Sequence, residues 1–474
     1  MTRYPHLITP DGKLEKVYRT AIGDLVGNIY SYKSENGTYY ESCLLAGIHY
    51  KDPWTRDAAI NTWFALSLLF PQVAKNTLLS VVSNQPDQPC ISGQYWDKIL
   101  WAIGYERYLN ENVDPDFAEF GYKTICTTLR QMEKMEFSEE YGLFRGPACI
   151  GDGVSAYPDF LSNCGGSSEI LLWPKNNPEL AHPVGYGIPI HCLSTNLAYL
   201  NAYRVVSEVA QRNCLSHDYL EFSVHKAHLE QSIRKHFMTE VGGLRYIASH
   251  LGNDDSQEAL GYSFALLFNL LNEDERNKLV QSSYHSKLGT PCLYPPFERY
   301  STLEHCGRHS GSLWPPIQAF WALSTLNLGA NEIFDTEFLN ISNNIFRDGQ
   351  CEEIFHPKTG KPYGGLQEWN SEMIEWASCK RQSWSASAFL GMLFYGIIGI
   401  NIKNHALSLR PHLPANCDRL MIDDLTIGQS NFKIHLKGIG DNIDQCLLDG
   451  IPFSPSNIDI REPKSYFIEI TLSA

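Results

Sequence analysis

Two kinds of helical stretch alternate along the middle of the chain. One kind is apolar or aromatic on every side and recurs at 54–70, 95–110, 190–211, 255–271, 313–326 and 382–399. The other kind carries more charge and lies from Pro71 onward and near 115–136, 217–237, 273–284 and 331–346. A helix that is apolar all round is buried, and a charged helix covers it.

Six buried helices and about five or six outer helices predict an all-α dominated fold, an (α/α)6 barrel of six helical hairpins. Three long connections, 137–189, 285–312 and 347–381, each join an outer helix to the next inner one. In such a toroid they lie at the same end, and long loops are usually functional. We therefore expect them to build one pocket.

The two ends of the chain have a different pattern. Residues 1–53 contain turn signals, such as Asp11-Gly12, between short strand-like runs, which predicts a β or irregular segment packed on the barrel. Residues 403–474 alternate apolar and polar positions, which predicts a small antiparallel β unit. The predicted catalytic barrel is then 54–402.

Charge and hydropathy exclude some classes of partner. The 474 residues carry a formal net charge of −15 without a basic stripe, which argues against nucleic acid. No run of about 18 apolar residues is present, so we expect no membrane span. The expected partner is a carbohydrate, bound by a monomer or a homodimer.

The number and spacing of the cysteines predict whether the protein resides in a reducing or an oxidising compartment. They number 13, an odd count, and lack CxxC spacing, which excludes a familiar zinc pattern and disfavours a disulfide framework. The first residues show no apolar signal segment. We therefore expect free thiols in a reducing cytoplasm.

Carboxylates and tryptophans concentrate between Arg347 and Phe389. Glu352 and Glu353 precede a Pro-Lys-Thr-Gly turn, and Trp369 and Trp384 follow. Carboxylates can transfer protons, and an indole face suits the C–H side of a pyranose. The composition favours a sugar site, although an acidic loop over a core helix would share it.

Polar and aromatic residues also stand where other inner helices begin. Arg56 and Asp57 can grip vicinal hydroxyl groups as donor and acceptor, or Asp57 can serve only as a helix N-terminal charge. We expect Arg56→Ala to weaken catalysis and to leave the melting temperature nearly unchanged. The candidate substrate-binding residues are Trp54, Arg56, Asp57, Trp96, Asp97, Glu169, Arg308, His309, Trp314, Glu352, Trp369 and Trp384.

The first long connection offers three candidate acids. Asp152 lies between Gly151 and Gly153, which let the backbone approach a ligand, although Asp-Gly is also a common turn. Asp159 and Glu169 follow it and remain alternatives.

Segments over about 54–400 resemble the six-hairpin glycoside hydrolases. Trp-Thr-Arg-Asp-Ala-Ala at 54–59 resembles the first inner helix of glucoamylase. Glu353-Ile-Phe-His-Pro-Lys-Thr-Gly-Lys-Pro is similar to the glucoamylase segment Glu-Gln-x-Asp-x-x-Thr-Gly-x-Pro, whose Glu is the general base. Gln382-Ser-Trp-Ser resembles the Thr-Trp-Ser that follows there and the Gln-Ala-Trp-Ser of glycogen debranching enzymes.

Other segments resemble the glucosidase domain of those debranching enzymes. His309-Ser-Gly-Ser-Leu-Trp-Pro is similar to their His-Gln-Gly-Thr-Val-Trp-Pro, and Gly187-Ile-Pro-Ile-His-Cys-Leu to their Gly-Lys-Pro-Val-Glu-Ile-Asn. Counting back from there, Asp152 aligns with the loop that holds their acid Asp. The resemblance therefore implies Asp152 as general acid and Glu353 as general base.

The resemblance implies an inverting, exo-acting glycoside hydrolase that needs no metal or organic cofactor. The bond would be of the α-glucoside type, in an oligosaccharide or small glycoside. Glucoamylase has Gln and Asp where this chain has Ile354 and His356, which leaves the sugar open. A glycoside phosphorylase is an alternative that Arg308 and His309 favour and Glu353 disfavours. A non-catalytic sugar-binding protein is another.

Overall fold

The computed structural model describes residues 4–34, 37–83, 88–93, 96–151, 153–162, 170–300, 305–369, 372–415 and 417–473, with only the backbone at 154, 162, 170 and 369. Within these ranges, each helix is too short or too polar to cross a membrane. The 12 cysteines described are all free thiols, as predicted, and Cys164 lies outside the described residues.

Six buried helices form the inner layer, and we call them ring helices one to six. They span 55–69, 96–111, Leu193–Arg212, Ala259–Leu267, Pro315–Leu326 and 383–397. Each packs against the next in chain order, and the sixth packs against the first. The predicted ends of all six helices lie within four residues of the observed ends. A helix that is apolar on every side is stable only in a core, which makes it easy to recognise in the sequence.

Six outer helices alternate with the ring helices. They span Gly12–Gly27, Pro71–Ser80, Pro115–Glu136, Ser216–Phe237, Glu273–Ser282 and Asn331–Asp348. Five of them follow the prediction. The long connections that the sequence indicated follow the outer helices Pro115–Glu136, Glu273–Ser282 and Asn331–Asp348. Short helical turns such as Asp159–Ser162 and Glu298–Tyr300 interrupt them.

The N-terminal helix Gly12–Gly27 corrects the prediction that residues 1–53 hold only β or irregular structure. Asp11 caps it, because its side chain accepts hydrogen bonds from the backbone N–H groups of Lys13 and Leu14. The pair Asp11-Gly12 thus begins a helix and not a turn. The buried face has helical spacing, with Leu14, Val17, Tyr18, Ala21, Ile22 and Leu25. This face packs against ring helix six and the last outer helix.

The N-terminal helix also holds both ends of the third long connection. Asp24 accepts a hydrogen bond from the Cys351 backbone N–H at 2.7 Å through Oδ2, and from Arg381 Nε at 2.9 Å through Oδ1. Asn28 Nδ2 donates to the Arg381 carbonyl at 2.7 Å and to Ser383 Oγ at 2.9 Å. The segment between these anchors carries Glu353.

The C-terminal region forms a mixed sheet, which corrects the antiparallel prediction. Its strand order is His6–Ile8, Arg419–Ile427, Ser430–Gly438, Ser465–Ser473, Asn442–Leu448 and Ile451–Pro452. The two central strands run parallel, with Asn431 opposite Ser465 and Gly438 opposite Leu472. Alternation of apolar and polar positions reports a strand but not its direction. The strand His6–Ile8 also ties the N-terminal segment to this sheet.

Shorter sheets connect the helices. A three-stranded one joins Ile400–Lys403, Ala406–Leu409 and Ile458–Asp459. The two-stranded ones pair Ile29–Lys33 with Tyr39–Leu44, Val82–Ser83 with Cys90–Ile91, Phe137–Ser138 with Leu143–Phe144, His191–Cys192 with Ile247–Ala248, Gln257–Glu258 with Leu293–Tyr294, and Leu366–Trp369 with Glu372–Glu375. Three of these sheets have a strand next to the end of a ring helix, namely His191–Cys192, Gln257–Glu258 and Ile400–Lys403.

A buried carboxyl joins the last outer helix to ring helix five. Glu337 accepts hydrogen bonds from the backbone N–H and the hydroxyl of Thr290, both at 2.7 Å, and from Gln318 Nε2 at 2.7 Å. Burial raises the pKa of Glu337 from its ordinary value of 4.5 to about 7. The folded protein therefore keeps a proton there that the unfolded chain has already released at pH 6.

The Glu337→Gln variant should gain stability relative to the wild type as the pH rises. In the wild type, ionising this carboxyl costs folding free energy between pH 4.5 and 7, which is about 3 kcal/mol for a shift of this size. The amide of the variant does not ionise, and Gln318 can rotate to offer it an oxygen. Unfolding midpoints at pH 4.5 and 7.5 measure the difference. A gap between the two proteins that is the same at both pH values would contradict this prediction.

Candidate active site

Three long connections meet at one end of the ring, as predicted. Arg299 links them, because its guanidinium contacts Asp159 Oδ1 at 2.6 Å, the Tyr157 carbonyl at 2.7 Å and Glu368 Oε1 at 3.0 Å. Asp159 Oδ2 also accepts the backbone N–H of Glu298 at 2.9 Å. We call this set the loop clamp. Asp159, an alternative acid, thus holds loops together.

Glu353 is buried and held in one orientation at this end. Its Oε1 accepts a hydrogen bond from Arg308 Nη2 at 3.0 Å, and its Oε2 accepts the Cys379 backbone N–H at 3.3 Å. The backbone N–H of Glu353 donates to the Cys379 carbonyl at 2.9 Å. Arg308 is fixed in turn through Nη1, which donates to the Gly364 carbonyl at 3.0 Å. The carboxylate therefore has a cation and an amide beside it and little freedom to rotate.

Glu352 is directed elsewhere. Gln350 Nε2 donates to its Oε1 at 2.8 Å, and burial raises the pKa of its carboxyl. The Ser378 side chain also interacts with the Glu352 carboxyl, whereas Glu353 binds the neighbouring Cys379 N–H and Arg308. Of the two carboxyls, Glu353 is the one that binds Arg308, a cation that packs against an aromatic ring.

An aromatic wall stands beside Arg308. The Arg308 guanidinium lies 5.1 Å from the Trp314 ring, and Trp314 Nε1 donates to the Arg308 carbonyl at 3.0 Å. His309 stacks on Trp314 with centroids 5.2 Å apart, and Trp384 meets it edge-on at 5.6 Å. The buried Trp384 indole N–H has no acceptor among the described residues. All four were predicted as site residues, and the structure brings them together.

Two more predicted site residues, Trp54 and Asp57, lie at the N-terminus of ring helix one. Trp54 is 37% exposed at the helix start, and Asp57 is buried one turn further. Tyr50, which the sequence analysis did not single out, contacts Trp54 edge-on with ring centroids 6.5 Å apart. Burial, and then the nearby carboxylates of Glu353 and Asp57, raises the pKa of the Tyr50 hydroxyl. The contact with Trp54 makes Tyr50 a further candidate site residue.

Arg56 points to ring helix two. Its Nη1 lies 3.1 Å from Asp97 Oδ2, and the two side chains are 9% and 0% exposed. Both residues were predicted to bind substrate, and Asp57 was the expected neighbour of Arg56 in that role. The ion pair joins the starts of two ring helices, and its burial changes the expected effect of Arg56→Ala on stability.

Replacing Arg56 by Ala should lower stability markedly. The change leaves the Asp97 carboxylate buried without this cation, a loss that typically costs about 3–5 kcal/mol. The double variant Arg56→Ala/Asp97→Asn should recover part of the loss, because the amide carries no charge. Thermal unfolding of the single and double variants measures this. An unchanged midpoint in Arg56→Ala would show that the pair does not support the fold.

Trp96 lies beneath the loop that leads to Asp152. It is 1% exposed, and its Nε1 donates to the Ala148 carbonyl at 3.1 Å. A Cβ atom at Gly146 would lie 2.7 Å from the Trp96 Cβ, so the loop can pass this close only with glycine there. Trp96 therefore supports the loop from below.

The start of ring helix three fixes the same loop. The Cys149 backbone N–H donates to Ser194 Oγ at 2.9 Å. Asp152 and Glu169 lie outside the described residues, as does the side chain of Trp369. Gly153, next to Asp152, packs against the side chain of Gln367, which lies in the third long connection.

One further carboxyl at this end was not predicted. Glu258 directly precedes ring helix four and is 4% exposed. Its Oε2 accepts the Ser194 backbone N–H at 3.0 Å, and burial raises its pKa to about 7. The sequence held a signal for Glu258, because it is a polar residue near the start of an apolar ring helix. Asp57 and His309 were chosen as candidate site residues on the same ground.

Comparison with known proteins gives a fold. No family model and no curated protein matches the sequence. Solved structures do match, among them a sialidase with a TM-score of 0.64 at 14% identity, over 90% of this chain and 37% of that one. A GH78 rhamnosidase of a Bacillus species matches with a TM-score of 0.60 at 11% identity, over 99% and 44%.

A GH63 mannosylglycerate hydrolase from Thermus thermophilus, in complex with glucose, matches along its whole length. Its TM-score is 0.58 at 15% identity, over 80% of this chain and 100% of that one. What these proteins share with this chain is the fold. By name, the second of these structures is a rhamnosidase and the third a mannosylglycerate hydrolase. The chain spans less than half the length of the sialidase and the rhamnosidase.

Proposed function

We propose that the protein is an inverting, exo-acting glycoside hydrolase built on an (α/α)6 barrel. The six ring helices and their outer partners would form the barrel, and the end with the loop clamp would hold the substrate. The observation that carries this proposal is the position of Glu353, a buried carboxylate fixed by Arg308 and the Cys379 N–H beside an aromatic wall.

In this proposal Glu353 is the general base. It would take a proton from a water molecule that attacks the anomeric carbon, while Asp152 protonates the oxygen of the leaving group on the other face. Inversion requires the two carboxyl groups to be about 6.5–9.5 Å apart, so that the water fits between sugar and base. Trp314 and Trp384 are buried, so they would support Arg308 and His309 from behind and not contact the sugar ring with an open face.

The α-glucoside-type bond rests on the glucoamylase-like segment that begins at Glu353. The neighbours of known structure are named for mannosylglycerate and rhamnose chemistry, so the choice of sugar has to be tested. The phosphorylase alternative needs a cation for phosphate. Arg308 already binds Glu353 and the Gly364 carbonyl, which favours hydrolysis.

Incubation with a panel of glycosides tests the proposal. The panel contains maltose, mannosylglycerate, and nitrophenyl α-D-glucoside, α-D-mannoside and α-L-rhamnoside, each with and without inorganic phosphate. We expect phosphate-independent release of a monosaccharide whose anomer, seen by proton NMR within minutes, is inverted. A retained anomer would refute the two-carboxylate mechanism. Release only with phosphate would establish the phosphorylase, and no release from any member would refute the proposed activity on these bonds.

A further inference from the structure

Glu258 has one carboxyl oxygen in use and one available. Oε2 accepts the Ser194 backbone N–H at 3.0 Å, whereas Oε1 is buried and has no hydrogen-bond partner among the described residues. A buried carboxyl oxygen without a partner is unfavourable by at least the cost of a lost hydrogen bond. Such an arrangement is typical of a group that meets a ligand.

Glu258 borders a small cavity at the active-site end. The cavity has a volume of about 30 Å3. It is lined by Ala148, Cys149, Ile150, Gly151, Ala156, Tyr246, Glu258, Leu260, Cys292, Leu293, His309, Trp314 and Ile317. Gly151 immediately precedes Asp152, and the guanidinium of Arg308 packs against the ring of Trp314. The cavity therefore lies between the loop of the proposed acid and the wall that supports the proposed base.

The size of the cavity restricts what enters it. About 10–15 Å3 is enough for a water-sized group, so 30 Å3 accepts a hydroxyl group but not a pyranose ring. A ring bound between the loops can therefore reach Glu258 with one hydroxyl. Apart from Glu258 and His309, the side chains around the cavity are mainly apolar, so this hydroxyl would depend on few polar partners.

The hydrogen bond from Ser194 favours one position for the proton of a neutral Glu258. The carbonyl oxygen of a carboxyl group is its better acceptor, so the Ser194 N–H at Oε2 favours the proton on Oε1, the oxygen without a partner among the described residues. Burial raises the pKa of Glu258 to about 7, so this neutral form is well populated up to neutral pH. Oε1 can then donate a hydrogen bond to a sugar oxygen.

We propose that Glu258 contacts the substrate, donating a hydrogen bond from Oε1 to one hydroxyl group of the sugar unit next to the cleaved bond. It would thereby help select the sugar by the presence and orientation of that hydroxyl. The proposal deepens the proposed glycosidase function and rests on it. Asp152 keeps the role of general acid.

Binding of free sugars tests the role of Glu258 without catalysis. Ligand-observed NMR titrations use D-glucose, D-mannose and L-rhamnose with the wild type and with Glu258→Ala and Glu258→Gln. We expect at least one sugar to bind and Glu258→Ala to weaken it about tenfold, the usual size of one hydrogen bond to a buried group. Glu258→Gln should recover most of that affinity, because its amide can accept from Ser194 and donate toward the cavity.

A matched control and a deoxy sugar sharpen the result. Glu337→Gln makes the same change at a buried carboxyl outside the cavity lining and should leave sugar binding unchanged. The monodeoxy sugar that lacks the contacted hydroxyl should bind the wild type about tenfold more weakly, the same single hydrogen bond being lost. It should bind Glu258→Ala no worse than the parent sugar does. Equal affinity of wild type and Glu258→Ala for every sugar, or no binding by the wild type, would overturn the proposal.

Hydrolysis separates this proposal from the proposed function. Sugar binding that depends on Glu258, without hydrolysis of any glycoside, would refute the glycosidase and leave Glu258 as a sugar-binding residue. Hydrolysis that Glu258→Gln abolishes on maltose but not on an activated glycoside would make Glu258 the general acid and refute its role as a binding residue.

Discussion

Glu353→Gln should lower kcat by roughly 10²–10⁴-fold on every glycoside that the wild type hydrolyses. The carboxamide has nearly the same shape and can still accept a hydrogen bond from Arg308 or from the Cys379 N–H. It cannot take a proton from water, so the loss should appear in kcat and should not depend on the leaving group. Initial rates on natural and activated substrates measure it.

Glu352→Gln is the matched control for this experiment. It makes the same change one residue earlier, at a carboxyl that is also buried but bound to Gln350. We expect its kcat to stay within a few fold of the wild type, and both variants to unfold cooperatively on heating. Full activity of Glu353→Gln, or equal losses in the two variants, would contradict the assignment of the base.

Asp152→Asn should lose as much activity as Glu353→Gln on maltose-like substrates and regain much of it on activated ones. A fluoride or nitrophenolate leaving group departs with little protonation, so it does not need the acid. Glu353→Gln lacks water activation on any substrate, so it should not recover. Rates on a glycosyl fluoride and on the matching disaccharide give this ratio for each variant.

Asp159→Asn is the control for the acid. Asp159 binds Arg299 at 2.6 Å in the loop clamp, so its loss should lower thermal stability and reduce rates on all substrates alike. Glu169→Gln tests the remaining alternative in the same assay. Recovery on activated substrates in either of these variants, and not in Asp152→Asn, would move the role of acid to that residue.

The parts of the fold that the sequence predicted are those set by patterns within one segment. Ring helices one to six could be found because their apolar residues cover every side, and the residues at their N-termini then became candidates for the site. His309, Trp314 and Trp384 became candidates in this way, whereas Glu353 was chosen by its register relative to Gly360 in the glucoamylase-like segment. The matches to a sialidase, a rhamnosidase and a mannosylglycerate hydrolase show that the fold is shared with these proteins.

The parts that were missed depend on partners distant in sequence. Arg56 and Asp57 are neighbours in sequence, and nothing local indicated that Arg56 turns to Asp97 on the next ring helix. The parallel pairing of Ser430–Gly438 with Ser465–Ser473 depends on where the chain returns. Glu258 was overlooked because one carboxylate before an apolar helix has the same appearance as a helix N-terminal charge.

The bond between Asp24 and the Cys351 N–H joins residues 327 positions apart. During synthesis on the ribosome, the helix Gly12–Gly27 emerges before ring helix six and the last outer helix, against which it packs. Until then its apolar face is uncovered, a condition in which chains of this size form intermediates and become prone to aggregation. The segment with Glu353 is also anchored only once both ends of the helical region are present. A nascent chain therefore acquires the geometry of its proposed base among the last steps of folding.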